Sequence, residues 1–416
     1  MLLDASLKGY PFTAAPLPVE AIAAQGWHLL ADDLPLPLAV IRQSALRHNL
    51  GWMRRHVAEA GIELAPHGKT TMSPELFAEQ LRAGAWGLTF ATVWQLRQGV
   101  AAGVPRALIA NQVTQAADLR ELARLRTAHP ALRAPFLVDD PAQVALVEAL
   151  HLPEPLEVLV ELGLDGGRTG CRHHDAALAL AQRVHASSAL RLAGISTYEG
   201  LWASGDDAQD AAMVATLMQR VHDLAQACDA AGYFDTDEVL ITAGGSAVFD
   251  LVSRALRPTL RRPVRGLLRS GCYLTHDDGF YRRLVQRVDH RLGCDGAGLR
   301  AALEVWAVVQ SLPEPGLALL SVGKRDASAD MGLPVPRWFS PAGSREVHPV
   351  PTSWHLSAMN DQHAYLRWEV ASPVTLNIGD RIGLGISHPC TTFDKWRWMP
   401  LVDDAYAVIE AITTRF

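Results

Sequence analysis

The sequence predicts a (β/α)8 barrel of the TIM type followed by a smaller, mainly antiparallel β domain. Three observations predict it. Apolar runs alternate with helix-period stretches over the first two-thirds of the chain, the runs are continuous rather than alternating, and the pattern changes near residue 280. A continuous apolar run is what a parallel strand buried on both faces requires; alternation marks a sheet with one wet face. Eight strand–helix units in succession favour a closed barrel. An open doubly wound sheet has the same pattern, because strand order is not visible in a sequence. With 416 residues there is room for one large and one smaller domain. The expected division is 31–280 for the barrel and 281–416 for the β domain, with residues 1–30 either joined to the latter or outside both.

The strand candidates are "LPLAVI" (36–41), "IELAPHGKT" (62–70), "WGLTFAT" (86–92), "ALIANQV" (107–113), "APFLVDD" (134–140), "LEVLVELGL" (156–164), "LRLAGISTYEG" (190–200) and "EVLITAGGS" (238–246). Between them, stretches such as "SPELFAEQLRAGA" and "DAAMVATLMQRVHDLAQACDAAG" repeat apolar residues at three and four positions, the helical period. Several strands end in turn-forming polar residues: "HGKTT", "DGGRTG", "TYEG" and "AGGS". Barrels build their sites where strands end, although any one of these endings is explained by a turn alone. After residue 280, "LEVWAVVQSL", "GLALLSVG", "HAYLRWEV" and "RIGLGIS" are short, β-rich and separated by proline, glycine and aspartate.

Composition excludes several classes of function. Net charge is −6 with no long basic block, so nucleic acid is not an expected partner. No apolar run approaches the roughly 18 residues of a membrane helix. The N-terminus carries Asp4 and lacks a basic start followed by an apolar stretch, so no secretory signal is read. Five scattered cysteines argue against a disulfide framework. A soluble cytoplasmic protein is expected.

"APHGKTTMSPELF" places Lys69 between a strand and a helix that Ser73 can cap, with Pro74 in its first turn and Glu75 at its positive end. The helix start is thereby accounted for; Lys69 is not. A partly desolvated lysine at a barrel mouth can carry a Schiff base, while a solvated surface lysine is the plain alternative. "ITAGGSAVF" offers Gly244 and Gly245, whose amides can approach a phosphate closely, and the hydroxyl of Ser246. "LLRSGCYL" adds Gly271 and Tyr273. A lysine on an early strand, a phosphate cradle after a late one and a second β domain together describe a pyridoxal-phosphate barrel enzyme.

"PHGKTTMSP", "VELGLDGGRTG", "TYEG", "TAGGSAVFD", "RSGCYLTHDDG", "NDQHA" and "SHPCTTFDKW" resemble the D-serine dehydratase/D-threonine aldolase family, whose fold is alanine-racemase-like. The resemblance runs from about residue 33 to about 400, and the lysine and His-x-Cys motifs are its specific parts. It implies that Lys69 binds pyridoxal 5'-phosphate covalently and that Arg168 and Tyr198 face the ring. It places Gly244, Gly245, Ser246, Gly271 and Tyr273 at the phosphate. It also implies a divalent metal on His388 and Cys390 and a homodimer. An imidazole and a thiolate suit zinc, whereas family members with His-x-Asp use a harder metal.

Without that resemblance, His388 and Cys390 would read as a turn histidine and a small buried cysteine. His67, two before the lysine, either meets the cofactor or is a core or turn histidine. "SVGKRDASADMG" (321–332) and the segment at His363 either line the site or are polar loops. Cys171, Cys228, Cys272 and Cys294 are read as structural. The function expected is a pyridoxal-phosphate- and zinc-dependent lyase of β-hydroxy D-amino acids, giving a 2-keto acid and ammonia. The alternatives are an aldolase giving glycine and an aldehyde, a racemase, and a non-catalytic pyridoxal-phosphate carrier.

Overall fold

Eight parallel strands form the barrel in a computed structural model that describes residues 2–294, 296–369 and 375–416. They are Glu63–Leu64, Leu88–Phe90, Ala107–Gln112, Phe136–Val138, Leu156–Leu162, Leu190–Thr197, Val239–Ala243 and Val264–Leu268. From the second to the eighth, each pairs with its sequence neighbour, and the eighth pairs with the first. The ring closes between the first two through a parallel bridge from His67 to Thr89, with the Trp86 and Thr89 amides donating to the Leu64 and Pro66 carbonyls. The closed barrel and the antiparallel domain are those the sequence predicts.

Two strand assignments differ from expectation. The 36–41 run is not a barrel strand. As Leu38–Arg42 it lies in the β domain, antiparallel to Leu303–Glu314 and parallel to Trp398–Val402. It is buried on both faces like a barrel strand, and a buried run does not show which sheet buries it. The eighth barrel strand is Val264–Leu268, which follows the proline- and arginine-rich "RPTLRRP" and carries arginine and glycine itself. That composition hides it.

Local sequence explains the helices well. Ser73 caps Pro74–Arg82, Asp140 forms a capping box with Gln143 on Pro141–Glu148, and Asp206 opens the long helix Asp207–Ala231. That helix ends at Gly232, whose φ of 75° is a left-handed conformation that suits glycine. Inside the barrel, Ala65, Trp86, Leu108, Leu137, Leu159, Ala193, Leu240 and Leu267 form an apolar cluster separate from the main core. The barrel is therefore filled below its mouth, and a ligand can enter only at the strands' C-terminal ends.

The β domain packs around Trp306, Trp396 and Trp398, all fully buried. Glu304 is buried among them, accepting from the indoles of Trp306 and Trp338 and the hydroxyl of Tyr406. The N-terminal segment lies on this domain. Tyr10 packs edge-on against Trp27 and Trp398, and Lys8 Nζ sits 2.9 Å from Asp326 and 3.7 Å from the Trp396 ring centroid. The C-terminal strand Val408–Thr413 returns to the barrel, where Thr413 donates through its amide and hydroxyl to Glu75. Among the described residues, no helix is long and apolar enough to cross a membrane.

Phe90 links the core to the turn that carries Lys69. A Cβ on Gly68 would lie 2.7 Å from its ring and one on Gly99 2.3 Å from it, so both glycines give way to the phenyl group. Phe90→Ala is expected to cost about 3–5 kcal/mol. The same change should loosen the Gly68–Thr70 turn, so the temperature of thermal unfolding should fall. An unchanged Tm would mean that the ring does not support that turn.

Candidate active site

A cavity of about 330 Å³ opens at the barrel mouth and is walled on one side by the β domain. Lys69, on the 3-10 turn Gly68–Thr70 after the first strand, reaches it, as do His67 and Thr70. Arg168, Tyr198, Gly244, Gly245, Ser246 and Gly271 line it from the later strand ends. His388 and Cys390 enter from the turn before Trp398–Val402. The structure thus brings together every candidate site residue except Tyr273. That ring is buried beside the cavity, with its hydroxyl accepting from Gln80 Nε2.

Charge is distributed unevenly around the cavity. Burial pushes the His67 imidazole well below its ordinary value, and Lys69, Arg269 and Arg168 add to that effect. His67 is therefore neutral, and its Nδ1 is buried with no hydrogen-bond partner. The Arg168 guanidinium lies 5.3 Å from the Tyr198 ring centroid, in cation–π range. Burial, then Glu199, raises the Tyr198 phenol.

The glycine loop is not free in the way the sequence suggests. Gly244 and Gly245 donate their amides to the two carboxylate oxygens of Glu199, at 3.0 and 2.9 Å. Glu199 thereby fixes the loop. Ser246 hydrogen-bonds to Cys272, and the 3-10 turn Cys272–Leu274 opens behind Gly271 with leading amides that a turn cannot satisfy internally. Space still demands glycine here. A Cβ on Gly245 would lie 2.9 Å from the Tyr198 ring, and one on Gly271 would lie 2.7 Å from Thr70 Oγ1 and 2.8 Å from His67 Cβ.

In the same cavity, Cys390 Sγ lies 3.5 Å from Thr70 Oγ1 and 3.7 Å from Cys272 Sγ. Cys272, expected to be structural, is instead part of the cavity wall. Its contact lowers the Cys390 thiol well below its ordinary value, and His388 and Thr70 act in the same direction against burial. Burial pulls His388 down, but Cys390 and Asp330 outweigh it and push the imidazole up to about 9. A lowered thiol favours the thiolate, the form in which a cysteine binds metal. Among the described residues, no group of three or more His, Cys, Asp or Glu side chains is arranged to hold an ion.

Several wall residues had no signal of their own in the sequence. Arg269 donates to Thr242 Oγ1 at 2.8 Å and to the Thr197 carbonyl at 2.7 Å. Glu161 accepts from Gln112 at 2.6 Å. Asn111 and Tyr281 also face the cavity. Glu199 was legible only as a letter within "TYEG". From the 321–332 loop, Asp330 reaches His388, whereas His363 is exposed and outside the cavity wall.

The family description "Alanine racemase, N-terminal domain" matches residues 41–263, and "Putative serine dehydratase domain" matches residues 302–402. The D-threonine aldolase of an Arthrobacter species is 27% identical over 382 residues, covering 89% of this chain and 88% of that protein. The D-threo-3-hydroxyaspartate dehydratase of Delftia sp. (strain HT23) is 33% identical over 171 residues, 40% of this chain and 44% of that protein. A cysteine-to-alanine variant of D-threo-3-hydroxyaspartate dehydratase, solved in a metal-free form, superposes with a TM-score of 0.73 at 24% identity. That match covers 94% of this chain and 99% of the other.

Proposed function

The chain belongs to the alanine racemase N-terminal-domain family, and we propose that it is a pyridoxal-phosphate- and zinc-dependent dehydratase of β-hydroxy D-amino acids. The products are a 2-keto acid and ammonia. One observation carries this reading: Lys69 from the barrel and the His388–Cys390 pair from the β domain line the same cavity. A racemase needs a base on each face of Cα and no metal, and a carrier needs neither the pair nor the second domain.

The residues present fit both groups. Lys69 offers an amine inside the cavity, and His67 Nδ1 is a buried polar atom still lacking a partner. The backbone at Gly245 and Gly271 comes so close to its neighbours that any side chain would intrude. His388 and the Cys390 thiolate supply borderline-soft donors that suit zinc. When bound, pyridoxal phosphate supplies an electron sink at Cα, and zinc supplies a Lewis acid for the departing oxygen.

The remaining chemistry belongs to this chain's residues. Lys69 Nζ would hold pyridoxal phosphate covalently, and its amine is the group that would take the Cα proton. Arg168, exposed at the mouth, offers a guanidinium for the substrate carboxylate. His67, held neutral, adds no positive charge beside the lysine. His388 and Cys390 come from the β domain, with Cys390 Sγ 3.5 Å from Thr70 Oγ1 beside the lysine, and the role assigned to them is at the β-hydroxyl rather than at Cα. The apolar cluster beneath closes the floor to water.

Cleavage of Cα–Cβ to glycine and an aldehyde is the second reading. The D-threonine aldolase relative, similar over nearly the whole chain, favours it; the His-x-Cys donor set favours the dehydratase. Product analysis on a panel of β-hydroxy D-amino acids tests the proposal. Keto acid with ammonia supports it, and glycine with an aldehyde replaces it with the aldolase.

Gly245→Asp is expected to weaken cofactor binding severely. The new side chain starts 2.9 Å from the Tyr198 ring and brings a second carboxylate beside Glu199, against an incoming phosphate dianion. Titration of the apoprotein with pyridoxal phosphate measures it; unchanged affinity would remove this loop from the phosphate site.

A further inference from the structure

We propose that Asp330 is a positioning residue for the metal pair: it fixes the His388 ring so that Nε2, and not Nδ1, is left to bind the ion beside Cys390. His388 Nδ1 lies 2.8 Å from Asp330 Oδ2 and 3.0 Å from Thr391 Oγ1. Thr391 Oγ1 also donates to Asp330 Oδ1 at 3.0 Å, so both carboxylate oxygens are engaged. That nitrogen is occupied on the side away from the cavity, which His388 lines and Asp330 does not.

The contact is built into the fold rather than made by a drifting surface chain. Asp330 lies on the 321–332 loop, and the amide of Ser328 in the same loop donates to Thr392 Oγ1 at 3.2 Å. Thr392 Oγ1 in turn donates to the His388 carbonyl at 3.0 Å. Loop and ligand-bearing turn are thus tied at two points. A histidine ligand whose second nitrogen is held by a carboxylate has its tautomer and orientation fixed and is a better donor. This matters more where two side chains must hold an ion than where four do, since no third ligand restores a misplaced ring.

The inference rests on the metal reading above, and the experiment separates the two. Zinc affinity of the cofactor-loaded protein is measured by competition with a chromophoric chelator for the wild type, Asp330→Asn, Asp330→Ala and His388→Ala. The expected result is a loss of about 10–100-fold in zinc affinity for Asp330→Ala. Asp330→Asn, which keeps an acceptor oxygen without the charge, falls in between. Cofactor absorbance and thermal unfolding should match the wild type in both. Wild-type affinity in Asp330→Ala, alongside weak binding by His388→Ala, overturns the role of Asp330 and leaves the metal pair standing. Loss of cofactor or a large fall in Tm in Asp330→Ala also overturns it, in favour of a structural role. A wild type that binds zinc no better than His388→Ala overturns the metal pair itself, and this inference with it.

Discussion

Lys69→Ala is expected to leave a protein to which borohydride fixes no pyridoxal phosphate, whose spectrum lacks the imine band, and which has no measurable turnover. Only a lysine amine forms that imine, and the chain's other lysines are placed elsewhere. Lys8 pairs with Asp326, Lys395 sits beside Asp394, and neither they nor Lys324 lines the cavity. Loss of the covalent link also removes the base expected at Cα, so the effect on rate is compounded. The fold should persist, because the Lys69 side chain is exposed within the cavity and the turn beneath it is held by Gly68, Phe77 and Phe90. Absorbance spectra after reconstitution and the melting curve are compared with the wild type. A mutant that keeps a covalently bound cofactor through another lysine would show that Lys69 is misassigned.

Cys390→Ala is expected to release zinc while retaining the cofactor. One imidazole is too few protein ligands to hold the ion against a chelator. The proposed cofactor contacts come from the barrel, on elements that Cys390 does not build. Exchange of the α-proton with solvent deuterium should therefore survive at least in part, while keto-acid release falls by several kcal/mol of barrier, on the order of a thousandfold. Cys272 lies 3.7 Å away and is the nearest sulfur able to substitute, so the double variant with Cys272→Ser removes that escape. Metal content, deuterium exchange and keto-acid release are measured in parallel. Near-normal release from metal-free protein means that the pair is not catalytic. Loss of cofactor together with metal means that the pair is structural.

Much of the fold was legible because burial on both faces leaves a continuous apolar run. The same property misplaced Leu38–Arg42, which is equally buried but in the other sheet. Val264–Leu268 was hidden because its flanks are basic and proline-rich and its own arginine and glycine break the run. In the site, residues of unusual chemistry in short motifs were readable: Lys69, His388, Cys390 and the glycines. Others act through tertiary contact alone. Arg269, Glu161 and Asp330 are ordinary charged residues until the barrel and the β domain bring them together. Glu199 changes what the glycine loop does, and nothing in "AGGS" signals that two of its amides are already taken. Cys272 was read as inert because sequence distance separates it from Cys390, and folding removes that distance.

The most direct test of the dehydratase reading is a single-substrate experiment with D-threonine, which both lyase chemistries can consume. The zinc- and cofactor-loaded protein is incubated with it, and all products are identified by mass spectrometry. The expected result is 2-oxobutanoate and ammonia in equal amounts. Glycine and acetaldehyde, or L-allothreonine without net consumption, would contradict the account.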